Sequence, residues 1–533
     1  MKRFTKQLAL ALTLVMIIGI IAACGSSRET AAPSAPAASG SGWTYQKGMP
    51  FSEEKASFSV LTHSGWAVTL AVPNNDLPVY AAIMERGNID VDWQIIEAAT
   101  YSEMVNVRLM STDLPDVVVL TDATMQVRMA EDDFFWAYDD LGLENIPYST
   151  ELFNKDAEGA QLEKNYRLRF PGNKIYGFGT TVIPRFLNEN FVINTVWQEK
   201  LGIADPETID EFYDMLVAFR DSDPNGNGLK DEIPLVWYDG IERALSGTFD
   251  LDPYSNMTLD ANNKVEFHWL TNRFRDYLEY RKKLYDNDLV DKENRDLAGS
   301  YEMSAQDRMG GYCWWVTFSQ LFTGFSPHYD AEAANYVFRE IMPLKNVYDG
   351  TTKKLSRLIA NGPGESFNII KSGNHPEVAL RLADWLFASD EYAVLMNFGI
   401  EGVSYNIVNG EIDRMVPEGF ADAGEYLVHL GGSQPPFAHR QYLPAWRTNY
   451  PKWMVERTDQ LLPFYKDGLP PALMMFDDQT EYNSIAADVN THRSEMQANF
   501  IEGRRPLSEW DAYVAEIKAM GADEMLKIVS KYY

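Results

Sequence analysis

Between Ala56 and Leu120 short apolar strands alternate with helices, and that order narrows the fold more than any other feature of the chain. In Ala56–Thr62, Phe58 and Val60 alternate with polar residues, as in a strand with one covered face. A helix is predicted at Leu77–Arg86 with Gly87 as its stop, a strand at Val91–Ile96, and a second helix at Tyr101–Met110, where Val105 and Leu109 share a face. Asp113-Leu-Pro-Asp116 then turns into Val117–Leu120, a continuous apolar run suited to a strand covered on both faces. Parallel neighbours need a crossover, and the helices supply it, so the order specifies an α/β fold. Further strands are predicted at Phe191–Asn194 and Ile233–Trp237. Thr208 and Glu211 form a capping box for a helix running to about Arg220, with Phe212, Leu216 and Phe219 on one face. Pro376 opens another helix with a Val378, Ala379, Leu382, Ala383, Leu386 stripe. Ile485, Val489, His492, Met496 and Phe500 line a third, where His492 reads as a packing residue, and Ser508–Met520 stops at Gly521.

One segment carries specific chemistry. After the capped helix comes Asp223-Pro-Asn225-Gly-Asn227-Gly-Leu229-Lys-Asp231-Glu232. Oxygen-bearing side chains recur at alternate positions with glycines between them, so a tightly coiled loop brings them to one point. Calcium takes six to eight hard oxygen ligands. Asp223, Asn225, Asn227, Asp231 and Glu232 offer side chains, and the Leu229 carbonyl a sixth position. The first half matches the EF-hand pattern D-x-N-x-N-G, but Pro234 stands where the bidentate glutamate belongs, so Glu232 is expected to take that role. Magnesium fits less well because it retains its waters. A structural Ca²⁺ would pin the loop between helix and strand.

The first residues read as an address. Lys2, Arg3 and Lys6 precede an apolar run from Leu8 to Ile21, shorter than a bilayer span requires. The run ends in Ile21-Ala-Ala-Cys24, which resembles the lipobox of bacterial lipoproteins. Residues 1–23 are therefore expected to be a signal peptide, Cys24 the diacylated new N-terminus, and 24–50 a Ser/Ala/Pro/Gly-rich tether on the extracytoplasmic face of the cell membrane. Losing Lys2, Arg3 and Lys6 takes the formal charge from −30 to −33, a surface that repels nucleic acid. With Cys24 lipidated, Cys313 has no partner within the body and reads as a small buried hydrophobe.

Several motifs together resemble the family 1 extracellular solute-binding proteins of ABC importers, and among them the calcium-loop lipoproteins that bind alginate oligosaccharides. They are Met110-Ser-Thr-Asp-Leu-Pro-Asp116, Ile175-Tyr-Gly177, Trp197-Gln-Glu-Lys-Leu-Gly202, the Asp223–Glu232 loop, Gly399-Ile-Glu-Gly-Val-Ser-Tyr405 and Pro506-Leu-Ser-Glu-Trp-Asp-Ala-Tyr513. The resemblance implies a two-lobed, type II periplasmic-binding-protein-like fold with a hinge of crossing strands and a ligand cleft between lobes. One lobe would comprise residues 51–180 and 362–405, the other 181–361 and 406–533. Crossings would fall near Gly177–Val182 and Asn361–Phe367. It further implies a monomer that traps an oligosaccharide by closure and hands it to the importer's permease subunits, with no catalysis.

Sugar faces stack on aromatic rings, and strand ends open on such clefts. Trp66, Trp237, Tyr238, Trp314, Trp315 and Trp446 follow or end expected strands or loops and are the candidate ligand contacts. On the expected strand one of Trp314 and Trp315 would face each side, so at most one of them would line the cleft. Trp385 and Trp510 lie in helices and read as core or interface. A peptide-binding lipoprotein, a surface-tethered carbohydrate-active enzyme and a sensor protein are the rival readings. No HExxH, GxSxG or Cys-His cluster supports the enzyme.

Overall fold

Two separate sheets organise the chain. The structure, a computed structural model, describes residues 43–64, 74–155, 167–170, 173–178, 189–236, 240–260, 262–293, 296–316, 318–330, 336–357, 366–432, 447–448, 450–469 and 472–533. The expected signal peptide, Cys24 and most of the tether lie outside these residues. Among the described residues no helix is long and apolar enough to cross a membrane.

The first sheet has the order Ser366–Ile369, Val117–Leu120, Ala56–His63, Ile89–Ile96. Ala56–His63 pairs in parallel with Ile89–Ile96 along its whole length and with Val117–Leu120 at Val60↔Val117, while Ser366–Ile369 runs antiparallel. Val117–Leu120 is buried throughout, as a central strand covered on both faces must be. The helices Pro78–Gly87 and Tyr101–Leu109 supply the crossovers where the apolar spacing placed them. Asp116 of the Leu-Pro-Asp turn ties these pieces together. Its Oδ2 accepts from Ser59 N–H at 2.6 Å and Ser59 Oγ at 2.9 Å, and its Oδ1 accepts from Asn374 N–H at 2.6 Å and Nδ2 at 2.9 Å. A second carboxylate, the fully buried Asp384 of the helix Pro376–Ala388, accepts the N–H groups of Tyr148 and Ser149 at 2.8 Å each. Those are otherwise orphan donors of the helix Pro147–Asn154, whose positive end favours the charge.

The second sheet has the order Phe338–Glu340, Glu189–Asn194, Gly311–Trp315, antiparallel throughout. Strand alternation sends Phe191, Ile193 and Cys313 into a core built with Trp197, Phe212, Leu216, Trp269, Trp510 and Tyr513, and sends Val192, Tyr312 and Phe338 to the opposite face against Met303 and Phe322. Cys313 is fully buried there, and Trp385 and Trp510 are core residues as expected. Gly311 is required by this pairing, since a Cβ on it would lie 2.5 Å from the Val192 carbonyl oxygen. The helix Ile209–Asp221 carries the predicted capping box: Glu211 N–H donates to Thr208 Oγ1 at 3.2 Å, and Thr208 N–H donates to Glu211 Oε2 at 3.1 Å. The strand expected at Ile233–Trp237 does not form among the described residues. Ile233 and Val236 make isolated parallel bridges to Met309 and Tyr312, and Pro234 between them has no N–H to continue a ladder. His492 is also less buried than its stripe suggested, and its Nε2 meets Glu516 Oε2 at 3.2 Å.

The long helix Phe476–Ile501 belongs to both halves. Leu473 and Phe476 pack on the core beside the first sheet, while Ala486, Val489, Phe500 and Ile501 sit in the main core of the second. Arg128 lies 5.2 Å from the Phe476 ring centroid. Residues 405–432 keep company with the first half: Tyr405 packs on Phe398, and Val79 N–H donates to the Leu430 carbonyl at 3.0 Å. We therefore propose that the first lobe extends to Gly432. Both expected crossings lie largely outside the described residues.

Glu340, at the end of its strand, is fully buried, and among the described residues neither carboxylate oxygen has a partner in good hydrogen-bond geometry. Burial pushes its pKa up to about 7, against the pull of its own backbone N–H and of the Arg457 and Arg339 charges. A carboxyl whose folded pKa is raised contributes stability that is complete below its unfolded pKa and is lost as pH rises through 7. The loss amounts to roughly 3 kcal/mol at about 1.4 kcal/mol per pK unit. Glu340→Gln is expected to melt close to wild type at pH 4.5 and higher than wild type at pH 8; thermal unfolding across this range checks it, and parallel curves would remove Glu340 as the cause.

Candidate ligand platform and cation loop

The end of the second sheet gathers aromatic and charged groups. The strand Gly311–Trp315 finishes in two tryptophans, both half-buried. Simple alternation would send them to opposite faces. Instead their rings stack, with centroids 6.1 Å apart and planes 29° apart. Trp315 pairs across the sheet with Glu189, the first residue of Glu189–Asn194, and its Nε1–H donates to Glu189 Oε1 at 2.7 Å. Arg243 Nη1 donates to both Glu189 oxygens, at 2.7 and 2.6 Å. The Arg243 guanidinium also lies 5.4 Å from the Trp314 ring centroid and 5.2 Å from that of Tyr254, within cation–π range.

Burial pushes the Glu189 carboxyl above the ordinary range, while the Arg243 charge and the hydrogen bonds from Arg243 and Trp315 pull it back. Burial works against the Arg243 charge in turn, and the Glu189 carboxylate more than offsets it. The direct contacts identify an ion pair in a partly dry setting. Arg243 is held in place by its short helix, Ile241–Ala244. Gly240 lets that helix approach the strand, since a Cβ there would come within 2.6 Å of the Cys313 carbonyl oxygen. On the other side Glu242 Oε1 stands 2.9 Å from the buried His268 Nε2. The result is a small polar platform with aromatic walls, in which Trp315 also stacks on Phe318 with ring centroids 6.4 Å apart.

Of the predicted ligand contacts, the structure brings Trp314 and Trp315 together. Trp66, Trp237, Tyr238 and Trp446 lie outside the described residues. Glu189, Arg243 and Tyr254 escaped the reading of the chain. Glu189 left one signal, a charged residue heading an otherwise apolar strand, and Arg243 left none. A groove of about 440 Å³ lies on the first half, lined by Arg86, Trp385, Glu391, Ile400 and Tyr405 among others. Its guanidinium is committed to Glu391 at 3.1 Å and Trp385 is 1% exposed, so it presents little aromatic face to a ligand.

The Asp223–Glu232 loop coils as its glycines allow, with Gly226 and Gly228 at φ +75° and +77°. Gly228 N–H donates to Asp223 Oδ2 at 3.1 Å, Asn227 N–H to Asn225 Oδ1 at 3.0 Å, and Leu229 N–H to Asn227 Oδ1 at 2.7 Å. The side-chain amides of Asn225 and Asn227 both turn an N–H toward Asp231 Oδ1, at 3.4 and 3.1 Å, and Arg308 Nε meets Asp231 Oδ2 at 3.0 Å. Among the described residues Asp223 Oδ1 and Glu232 Oε1 are buried with no hydrogen-bond partner, and Glu232 is only 8% exposed. Burial, and then the Asp231 and Asp223 charges, push the Glu232 carboxyl up. Among the described residues no three His, Cys, Asp or Glu side chains stand ready-grouped around a metal position. Asp231 is turned to Arg308 and the amides, so Asp223 and Glu232 are the carboxylates with open oxygens. Their unmet acceptors, with amide and carbonyl oxygens beside them, fit a hard divalent cation. The exposed Leu229 side chain leaves its carbonyl as the group able to contribute.

Residues 76–306 match the family of bacterial extracellular solute-binding proteins. The chain is similar to the fructooligosaccharide ABC transporter substrate-binding protein FusA of Streptococcus pneumoniae, 24% identical over 567 aligned positions that cover 100% of this chain and 98% of the relative. It is also similar to lipoprotein LipO of Bacillus subtilis, 24% identical over 86% of this chain and 89% of the relative. Among solved structures, FusA in complex with kestose matches with a TM-score of 0.68 at 19% identity, covering 90% of this chain and 98% of that one. The alginate-binding protein AlgQ2 without calcium ion matches at 0.66 and 20% identity, covering 92% and 100%. The fold is thus periplasmic-binding-protein-like, as the order of strands and helices and the motifs implied.

Arg243→Met should strand the Glu189 charge in a buried site and lower stability by about 3 kcal/mol at neutral pH. The deficit should shrink as pH falls and Glu189 takes up a proton. Chemical denaturation at pH 7.5 and pH 5 reads both effects, and a deficit that grows in acid would show the pair is not ionised.

Proposed function

We propose that this chain, which over residues 76–306 belongs to the bacterial extracellular solute-binding protein family, captures an oligosaccharide outside the cytoplasm and delivers it to an ABC importer. The observation that carries the reading is the platform of Trp314, Trp315, Glu189 and Arg243 at a strand end. Ring faces and hydroxyls of a sugar need stacking surfaces and charged hydrogen-bond partners, and the platform offers both. The likeness to a fructooligosaccharide-binding protein over the full chain supports the same ligand class. Binding without catalysis follows the family. Closure of the two lobes over the ligand would bury it, and the long helix Phe476–Ile501, rooted in both cores, would limit the path of that motion.

Lipid anchoring at Cys24 is part of the proposal, supported by Ile21-Ala-Ala-Cys24 and by the likeness to a lipoprotein. A tether keeps the binding protein near its importer at raised effective concentration. Calcium in the Asp223–Glu232 loop is the other part. Asp223, Asn225, Asn227, Asp231, Glu232 and the Leu229 carbonyl would hold it, with the Asn225 and Asn227 amides turned to present oxygen. The bound ion would neutralise Asp223 and Glu232 and pin the loop against Arg308. Solved relatives crystallised without calcium ion, or carrying an EF-hand mutation, support the reading.

Titration calorimetry of the purified protein is expected to give saturable binding with one of a panel of fructo-, gluco- or galacto-oligosaccharides, and none with oligopeptides. Tight peptide binding with silence toward every sugar would replace this reading by the peptide one. Calcium is expected to raise the melting temperature by roughly 3–5 °C and chelator to reverse it. Glu232→Gln should lose most of that response, and a wild-type melting curve indifferent to both calcium and chelator would count against the site.

A further inference from the structure

Relatives of this fold bind both neutral and acidic chains: FusA was solved with kestose, a neutral sugar, and AlgQ2 binds alginate, a polyuronate. The platform separates the two. Recognition of a uronate carboxylate calls for a guanidinium or ammonium whose charge is not already spent. Here the Arg243 charge is spent. Its Nη1 donates to both oxygens of Glu189, a carboxylate whose side chain is only 3% exposed. The remaining face of the guanidinium lies over the Trp314 and Tyr254 rings. A carboxylate placed on the platform would meet a pair of zero net charge, so its desolvation would be weakly compensated. Arg243 Nε and Nη2 make no hydrogen bond among the described residues, and these donors suit hydroxyl oxygens, which carry no charge to desolvate. The chain's formal charge of −30 adds a weak repulsion to any polyanion.

We infer that this protein selects neutral oligosaccharides over uronate-bearing ones, and that the Glu189–Arg243 pair is the selecting element. The inference rests on the carbohydrate reading above. It makes Glu189 a specificity residue: its negative charge masks an arginine that would otherwise attract acidic sugars.

The test is calorimetry with two probes of equal length, a fructooligosaccharide and an oligogalacturonate, on wild type and on Glu189→Gln, each first shown to melt cooperatively. Wild type should bind the neutral probe at least about tenfold more tightly, a gap of about 1.4 kcal/mol. In Glu189→Gln the ratio should move by about tenfold or more toward the galacturonate, because Arg243 regains an unshared charge. A wild-type preference for galacturonate overturns the inference while leaving the carbohydrate reading intact. So does an unchanged ratio in the variant. Binding of neither probe, nor of any other sugar, removes the carbohydrate reading itself and the inference with it. The wild-type comparison stands alone if the variant does not fold.

Discussion

The contact between Arg243 and Glu189 is the interaction on which the rest of the second lobe's chemistry turns. An ionised carboxylate at the head of a buried strand needs a counter-charge, and a helix of four residues reached through Gly240 supplies it. Placing that helix fixes Arg243 over Trp314 and leaves Trp315 to donate its indole N–H to the same carboxylate. One ion pair therefore orients both tryptophans, which explains why they stack instead of dividing between the two faces. On the far side of the helix, Glu242 and the buried His268 brace it, so a movement of the helix toward or away from the sheet would disturb two polar contacts at once.

The first lobe uses carboxylates differently. Asp116 and Asp384 are buried acceptors for backbone N–H groups, and each joins parts of the chain far apart in sequence. Both are structural ties between distant segments. The helix Phe476–Ile501 connects the two lobes, with Phe476 against Arg128 at one end and Phe500 in the main core at the other.

Much of the fold was legible in the chain because local rules and global packing agree there. The central strand Val117–Leu120 is apolar at every position and is buried at every position. The Thr208 capping box formed with both of its bonds. The loop Asp223–Glu232 coiled because its glycines reach positive φ, and its unmet carboxylate oxygens follow from the alternate spacing of acids. Where local rules and packing diverge, the reading failed. The apolar run Ile233–Trp237 looks like a strand, yet Pro234 removes the donor that a ladder needs. The platform was half visible: Trp314 and Trp315 stood out as ring faces at a strand end, but their partners did not. Glu189 and Arg243 lie 54 residues apart, and only the approach of a short helix to the sheet brings them together. Pairing of that kind belongs to tertiary structure, and no spacing rule encodes it.

A crystal structure of the protein soaked with its bound oligosaccharide tests the central claim most directly. A sugar ring seated against Trp314 or Trp315, with hydroxyls hydrogen-bonded to Arg243 and the Glu189–Arg243 pair intact, is the predicted result. A ligand seated in the groove of Arg86, Trp385 and Tyr405, or a pair pulled apart so that Arg243 grips an anionic group, would contradict it.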